Sequence, residues 1–381
     1  MNAARILMFA GTALALAACS DQSPTAARQQ RSTPAPLLSA SSGGIDGSYI
    51  VVVKEDADPR SVAAITGVNP NHVYTAALNG FAAELNDGQL NALQHNPNVE
   101  YIEQDGVASI ATTQSGATWG LDRIDQRARP LSGTYTYTTT ASNVTAYIID
   151  TGLQANHPQF GGRAAMAYGS ADCNGHGTHV AGTIGSSTYG VAKGVKLRGV
   201  RVLDCAGSGA YSTIIAGIDW VRLNAVKPAV ANMSLGGGLN TSLNTAATNL
   251  ANSGVFLAVA AGNENQNACN VSPASASGTL TVAASTSSDA KASYSNYGSC
   301  VDVYAPGSSI TSTWLNSGTN TISGTSMASP HAAGVAALYK GTFGDAASST
   351  IVSWIINNST ANVITGNPTG TPNRLLYKST L

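Results

Sequence analysis

Charge is scarce in this chain. Only 10% of its 381 residues are Asp, Glu, Lys or Arg, and 19 basic against 20 acidic side chains leave a formal net charge of −1. No basic stripe stands out of the kind that tracks a phosphate backbone, so nucleic acid is not an expected partner. Long apolar runs are missing too. The stretch from Ile6 to Ala18 is too short to cross a bilayer. The chain has no Gly-x-Gly-x-x-Gly or phosphate-loop pattern, no Gly-x-Ser-x-Gly nucleophile elbow and no repeat of fixed period. These absences exclude a dinucleotide cradle, an α/β-hydrolase elbow and a solenoid.

What is abundant is glycine, 40 residues, together with Ser, Thr and Asn, a composition common among secreted enzymes. Residues 1–19 combine Arg5, the apolar stretch and a small-residue end, the make-up of a secretory signal. It closes Leu16-Ala17-Ala18-Cys19, similar to a bacterial lipobox, which makes Cys19 a candidate for lipidation; ordinary cleavage after Ala15-Leu16-Ala17 is the alternative. Residues 20–47, rich in Ser, Thr, Ala, Gln and Pro, read as a disordered tether. Residues 48–110 alternate as β-α-β-β-α-β. The strands are Tyr49 to Lys54, Val73 to Leu78, Gly80 to Leu85 and Val99 to Asp105, with helices near Pro59 to Ile65 and from Asn86-Asp87 to Leu93. That order predicts a small ferredoxin-like α+β module. Residues 111–381, about 270 in all, suit one α/β domain with a large core.

Three blocks in this last part carry chemistry. Asn143 to Ile149 is a β-branched, apolar run that predicts a buried strand, and it ends in Asp150-Thr151-Gly152. A carboxylate at the carboxyl end of such a strand faces ligands in open α/β sheets. Asn174-Gly175-His176-Gly177-Thr178-His179 enters a small-residue helix. His176 and His179 lie three apart, so a metal pair is conceivable, but no nearby acidic third ligand completes it. Gly324-Thr325-Ser326-Met327-Ala328-Ser329-Pro330 opens a run, apolar nearly all round, that predicts a buried helix. Ser326 falls at its N-terminus, with Pro330 close to the first turn. Alone, each residue is an ordinary cap or turn residue. Together they supply a nucleophile, a base and the carboxylate that orients the base, in the order Asp, His, Ser.

These blocks resemble the signatures of subtilisin-like serine proteases, most closely the aqualysin-like members of the proteinase K branch, from about Trp119 to the C-terminus. The resemblance implies a parallel-sheet, three-layer α/β domain with Asp150, His176 and Ser326 as its triad; it is the resemblance that selects His176 over His179. It implies Asn263, after the apolar run Val255 to Ala261, as the oxyanion donor beside the Ser326 amide. It makes Ser234, Leu235 and Gly236 one peptide-binding edge and Gly207, Ser208 and Gly209 the other. Ala260-Ala261-Gly262 then suggests an apolar slot without a charged base, and cleavage after apolar or aromatic residues. Besides Cys19 there are four cysteines, which admit three pairings; the resemblance implies Cys173–Cys205 and Cys269–Cys300. Each would close a loop of roughly 30 residues, worth about 3.5–4 kcal/mol in the chain-entropy account. Asp302 matches a calcium ligand, with carbonyls near Ser277 and Thr279. Asp122, Asp125 and Gln126 match a second Ca²⁺ cluster, but the further ligand positions hold Ser132 and Thr134, so carboxylate donation is lost there.

Residues 48–110 resemble the family's inhibitor-type propeptide, an intramolecular chaperone whose last strand enters the active site. Self-cleavage is then expected near Ile110 to Gln114. The expected protein is a secreted or envelope-located bacterial serine endopeptidase acting on proteins and peptides, monomeric once mature, needing no catalytic cofactor and touching membrane only through a lipid on its precursor. A serine esterase and a catalytically silent, surface-tethered binding protein are the rivals.

Overall fold

The computed structural model describes residues 33–39, 44–106 and 112–381. The signal, Cys19, most of the tether and residues 107–111 of the junction lie outside the described residues. The chain divides into two compact units, one ending at Asp105 and the other running from Gly106 to Leu381.

The first unit is a five-stranded sheet. In chain order it holds β1 (Leu37–Leu38), β2 (Gly44–Val53), α1 (Pro59–Ile65), β3 (His72–Tyr74), β4 (Gly80–Glu84), α2 (Asp87–Gln94) and β5 (Val99–Gly106). The strand order β1-β5-β2-β4-β3 sets β2 beside β5, as a ferredoxin-like module requires, with the short β1 added at the edge. Local chemistry starts each helix. Asp58 accepts the Arg60 and Ser61 amides ahead of Pro59, and Asn86 and Gln89 form a reciprocal capping box. Val51, Val53, Val62, Phe81, Leu93 and Ile102 share its core. The expected strand from Val73 to Leu78 stops at Tyr74.

The second unit opens with β6 (Thr112–Ser115), α3 (Trp119–Asp125) and β7 (Thr134–Tyr137), where β6 and β7 pair as a ribbon. Then follow β8 (Thr145–Asp150), β9 (Ala164–Tyr168), α4 (His176–Gly185), β10 (Lys196–Arg201), α5 (Tyr211–Asn224), β11 (Ala229–Met233) and β12 (Gly237–Gly238). Next come α6 (Thr241–Asn252), β13 (Phe256–Ala260), β14 (Val271–Ser272), β15 (Leu280–Ser285) and β16 (Val303–Pro306). The chain closes through β17 (Ile310–Thr313), β18 (Thr319–Ile322), α7 (Thr325–Phe343), α8 (Ser348–Asn358), β19 (Thr360–Ala361) and β20 (Arg374–Leu375).

Nine strands form the main sheet in the order β19-β20-β16-β15-β13-β11-β8-β10-β9, parallel except for the β19–β20 pair. The strands β8, β11, β13, β15 and β16 are buried along their whole length, which is why they read as continuous apolar runs rather than alternating ones. Their side chains still divide by face. Ile148, Phe256 and Val282 pack with Val180 of α4 and Val335 of α7, while Ile149, Leu257 and Val259 pack with Ile214 of α5 and Leu243 of α6. Three layers result. Cys173 is bonded to Cys205 and Cys269 to Cys300.

Pro330 lies inside α7, at its sixth residue, rather than in the first turn. It has no N–H to offer the carbonyl of Ser326, four residues earlier. The Ser234 hydroxyl donates to that carbonyl instead, at 2.7 Å.

Candidate active site

Asp150 ends β8 and is fully buried. Its Oδ1 accepts the Thr151 amide at 2.7 Å and stands 2.8 Å from Nδ1 of His176. Its Oδ2 is buried without a protein hydrogen-bond partner. His176 is the first residue of α4, and its side chain is 25% exposed. Nδ1–H therefore serves the carboxylate, and Nε2 is left free to accept a proton. Two glycines permit this approach. Gly175 caps α4 with φ +109°, and a Cβ there would lie within 2.5 Å of the Trp314 ring. A Cβ on Gly177 would lie 2.0 Å from the Gly152 carbonyl, so the helix start can press against the end of β8 only without one.

Electrostatics suit a base. Burial pushes the His176 pKa down, but the charge and hydrogen bond of Asp150 and the charge of Asp172 outweigh it and hold the pKa above the ordinary histidine value. His179 has a different fate. It is fully buried, with Nε2 3.0 Å from the Ile310 carbonyl and 3.2 Å from that of Asn320, and burial takes its pKa down to about 4. It fastens α4 to the β17–β18 hairpin. Among the described residues no group of three His, Cys, Asp or Glu side chains could hold a metal, so the pair with His176 is not formed as a metal site.

Ser326 is the second residue of α7, and its hydroxyl donates to the Ser234 carbonyl at 3.2 Å. The Ser326 amide is one of the helix's first N–H groups, which have no intrahelical partner. Asn263 stands beside it. Its Oδ1 accepts both the amide (2.8 Å) and the hydroxyl (2.9 Å) of Thr325, which orients the side-chain amide and leaves Nδ2 to donate elsewhere.

These groups line two adjoining hollows. The first, of about 500 Å³, is walled by Thr151, His176, Gly207, Ser208, Gly209, Ser234, Leu235 and Gly236. The second, of about 260 Å³, is walled by Leu235, Gly236, Ala260, Gly262, Asn263, Val271 and Ser326. Both expected peptide-binding edges thus border the first hollow. Ser234, Leu235 and Gly236 lie between β11 and β12, whereas Gly237 and Gly238 already pair with β14. The slot is not wholly apolar, since Glu264 and Gln266 also line it, with Glu264 Oε2 accepting from Asn296 at 2.9 Å. Glu264 was missed because it follows the Gly-Asn turn and faces the slot only through that turn. Asp172 and Trp314 were missed for a similar reason: each acts on α4 from a separate loop.

The two cation clusters differ. Asp302 is largely buried; its Oδ2 accepts the Thr281 amide at 2.7 Å, and burial raises its pKa to about 6. A carboxylate so poorly compensated, next to the loop of Ser277 and Thr279, fits a hard cation. Asp122 and Asp125 are instead saturated. Asp122 accepts from the Ser132 amide and hydroxyl and the Gly133 amide, and Asp125 from the Thr136 amide and hydroxyl, with Lys378 Nζ at 3.2 Å. Gln126 Oε1 takes the Ser132 amide. With these oxygens engaged and an ammonium present, the cluster does not fit a calcium ion.

Comparison with known proteins identifies the family. Residues 141–375 match the Subtilase family, and residues 48–111 match Peptidase inhibitor I9. The extracellular serine proteinase of Thermus sp. (strain Rt41A) is 50% identical over 399 residues, covering 96% of each chain. Proteinase R of Parengyodontium album is 47% identical over 92% of this chain and 94% of its own. The crystal structure of a cold adapted subtilisin-like serine proteinase superposes with a TM-score of 0.68 at 52% identity, over 69% of this chain and 99% of that one. The chain therefore belongs to the subtilase family of serine proteinases and carries its own I9-type propeptide.

Proposed function

We propose that this chain is an exported serine endopeptidase that first cuts its own propeptide and then cleaves proteins with a broad apolar and aromatic preference. The observation that carries the reading is the 2.8 Å pair of buried Asp150 and His176 at the wall of a cleft that Ser326 also borders. Ser326 Oγ attacks the scissile carbonyl carbon while its proton passes to His176 Nε2. Asp150 holds the Nδ1 proton, which fixes the tautomer and stabilises the imidazolium. Nδ2 of Asn263 and the amide of Ser326 take the oxyanion, an interaction of about 3–4 kcal/mol per donor in the transition state. His176 returns its proton to the leaving amine, and water then hydrolyses the acyl ester by the same route.

The substrate chain pairs with residues 207–209 and 234–236. Asp302 and carbonyls near Ser277 and Thr279 would hold a Ca²⁺ ion, which ties two loops and takes no part in the chemistry. The Thermus relative, named an extracellular serine proteinase, supports export; a lipid on Cys19 would anchor only the precursor.

Expressing the full chain beside Ser326→Ala tests the reading. The parent should clear casein and start, by N-terminal sequencing, between residues 111 and 119. The variant should be inactive and keep its propeptide covalently. Equal casein clearance by both proteins sinks the mechanism.

A further inference from the structure

We propose that Asp172 is a positioning residue for His176, a single carboxylate that ties the residue after Asp150 to the loop and first turn that carry the histidine. The proposal rests on the triad reading given above. Asp172 Oδ1 accepts the Thr151 hydroxyl at 2.9 Å and the amides of Asn174 and Gly175, each at 2.9 Å. Its Oδ2 accepts the Thr178 amide at 3.0 Å and hydroxyl at 2.6 Å. Thr151 Oγ1 in turn accepts the Gly177 amide at 2.9 Å. The donors come from two sides. Thr151 follows Asp150 directly, and Asn174, Gly175 and Thr178 flank His176 in sequence. Charge-assisted bonds of this kind are short and strong. A slip of the imidazole relative to Asp150 would therefore have to break the Thr151 bond to Asp172 and the Gly177 bond to Thr151 together.

The charge of Asp172 acts as well. The titratable groups bearing on His176 are Asp150 at the end of β8, Asp172 in the loop before α4, and His179 on α4. Burial lowers the proton affinity of His176, and the two carboxylates raise it further than burial lowers it. His179, which burial holds at about 4, is neutral at working pH. Removing the Asp172 charge therefore lowers the pKa of His176, and the acid limb of activity moves to lower pH.

The test is Asp172→Asn, which keeps an acceptor at Oδ1 and loses the one that serves Thr178. On self-processed enzyme and a chromogenic peptide, kcat should fall roughly 10- to 100-fold with KM held within about twofold, the mark of a displaced catalytic group. Its acid limb in kcat/KM should move to lower pH. A role in folding alone would reduce the amplitude and leave the limb in place, and that result, or a loss confined to KM, overturns the proposal. Should Asp172→Asn fail to mature, Thr151→Val decides. It removes the tie between the two sides but no charge, so kcat should fall with the limb unmoved; parent kcat in this variant overturns the proposal. Ser326→Ala separates the two readings. Parent activity that does not depend on Ser326 defeats the triad itself, whereas Ser326-dependent activity with parent kcat and limb in both variants defeats Asp172 alone.

Discussion

At Pro330 the helix carrying Ser326, the proposed nucleophile, gives up one rung of its own ladder, and a side chain from β11's loop replaces it. The Ser326 carbonyl accepts the Ser234 hydroxyl at 2.7 Å, the Ser326 hydroxyl donates to the Ser234 carbonyl at 3.2 Å, and Asn232 Nδ2 donates to Ser234 Oγ at 2.8 Å. Ser234, a residue of the proposed peptide-binding edge, thus holds both the carbonyl and the hydroxyl of Ser326. Ser234→Ala leaves a carbonyl without a donor, a change that costs about 1–3 kcal/mol for a buried group. Pro330→Ala would restore a backbone N–H within helical reach of that carbonyl. In the double variant the loss should therefore be smaller than the sum of the singles by about 0.5 kcal/mol or more. Thermal unfolding at a fixed scan rate, in the inactive Ser326→Ala background to avoid autolysis, measures the coupling. Strict additivity would mean that the serine and the proline act independently.

At the scale of elements, α4 and α7 each carry a histidine buried in neutral form. His179 is wedged against the hairpin β17–β18, whose Ser312 and Thr313 hydroxyls donate back to the α4 carbonyls of His179 and Thr178. His331 Nδ1 lies 2.8 Å from the Met327 carbonyl. Burial takes both pKa values down to about 4. Each ring titrates near 6.5 once unfolded, so between about 6.5 and 4 the unfolded chain binds more protons and stability falls as pH falls, by up to about 1.4 kcal/mol per pH unit per ring. His176 and, when no cation occupies its site, Asp302, both raised, bind protons more readily when folded and oppose this loss over part of the window. Two fully buried rings outweigh them, and the melting temperature of Ser326→Ala should be lower at pH 4.5 than at pH 7. A level melting temperature would mean that the rings take up protons without unfolding. The sequence shows why only half of this arrangement was foreseeable. Period and composition reveal β8, β13 and α7, because buried parallel strands and an all-apolar helix leave continuous runs. The proposed triad of Asp150, His176 and Ser326 could be put forward because each member sits within a dense local block. The hairpin's grip on α4, the Asp172 bonds and Glu264 in the slot depend on residues brought together from separate loops, and no local pattern encodes such a meeting. Lys378 against Asp125 spans most of the second unit and is equally silent in the sequence.

Across the whole molecule, the two disulfides brace different hollows of the proposed substrate cleft, so their loss should be felt differently. Cys173–Cys205 joins the residues ahead of His176 to the 207–209 edge, and Asn174 Nδ2 reinforces it by donating to the Cys205 carbonyl at 3.0 Å. Cys269–Cys300 lies between Gln266 and Val271, two residues of the slot, and anchors that segment to the chain just before Asp302. The sequence separations are nearly equal, 32 and 31 residues, so the entropic contribution of each bridge is nearly equal too. In the chain-entropy account it is about 3.5–4 kcal/mol. The paired variants Cys173→Ser/Cys205→Ser and Cys269→Ser/Cys300→Ser should therefore lose similar stability in thermal unfolding. Their kinetics should separate. Freeing the first bridge loosens the entry to α4 and should lower kcat, because His176, the proposed proton acceptor, moves against Asp150. Freeing the second loosens a wall of the slot and should raise KM for peptide substrates while kcat is retained, since no member of the proposed triad hangs from it. Steady-state kinetics on both pairs decides the matter. Matching losses of kcat in the two would show that the bridges act only through global stability, and that the proposed cleft has no mechanically distinct hollows.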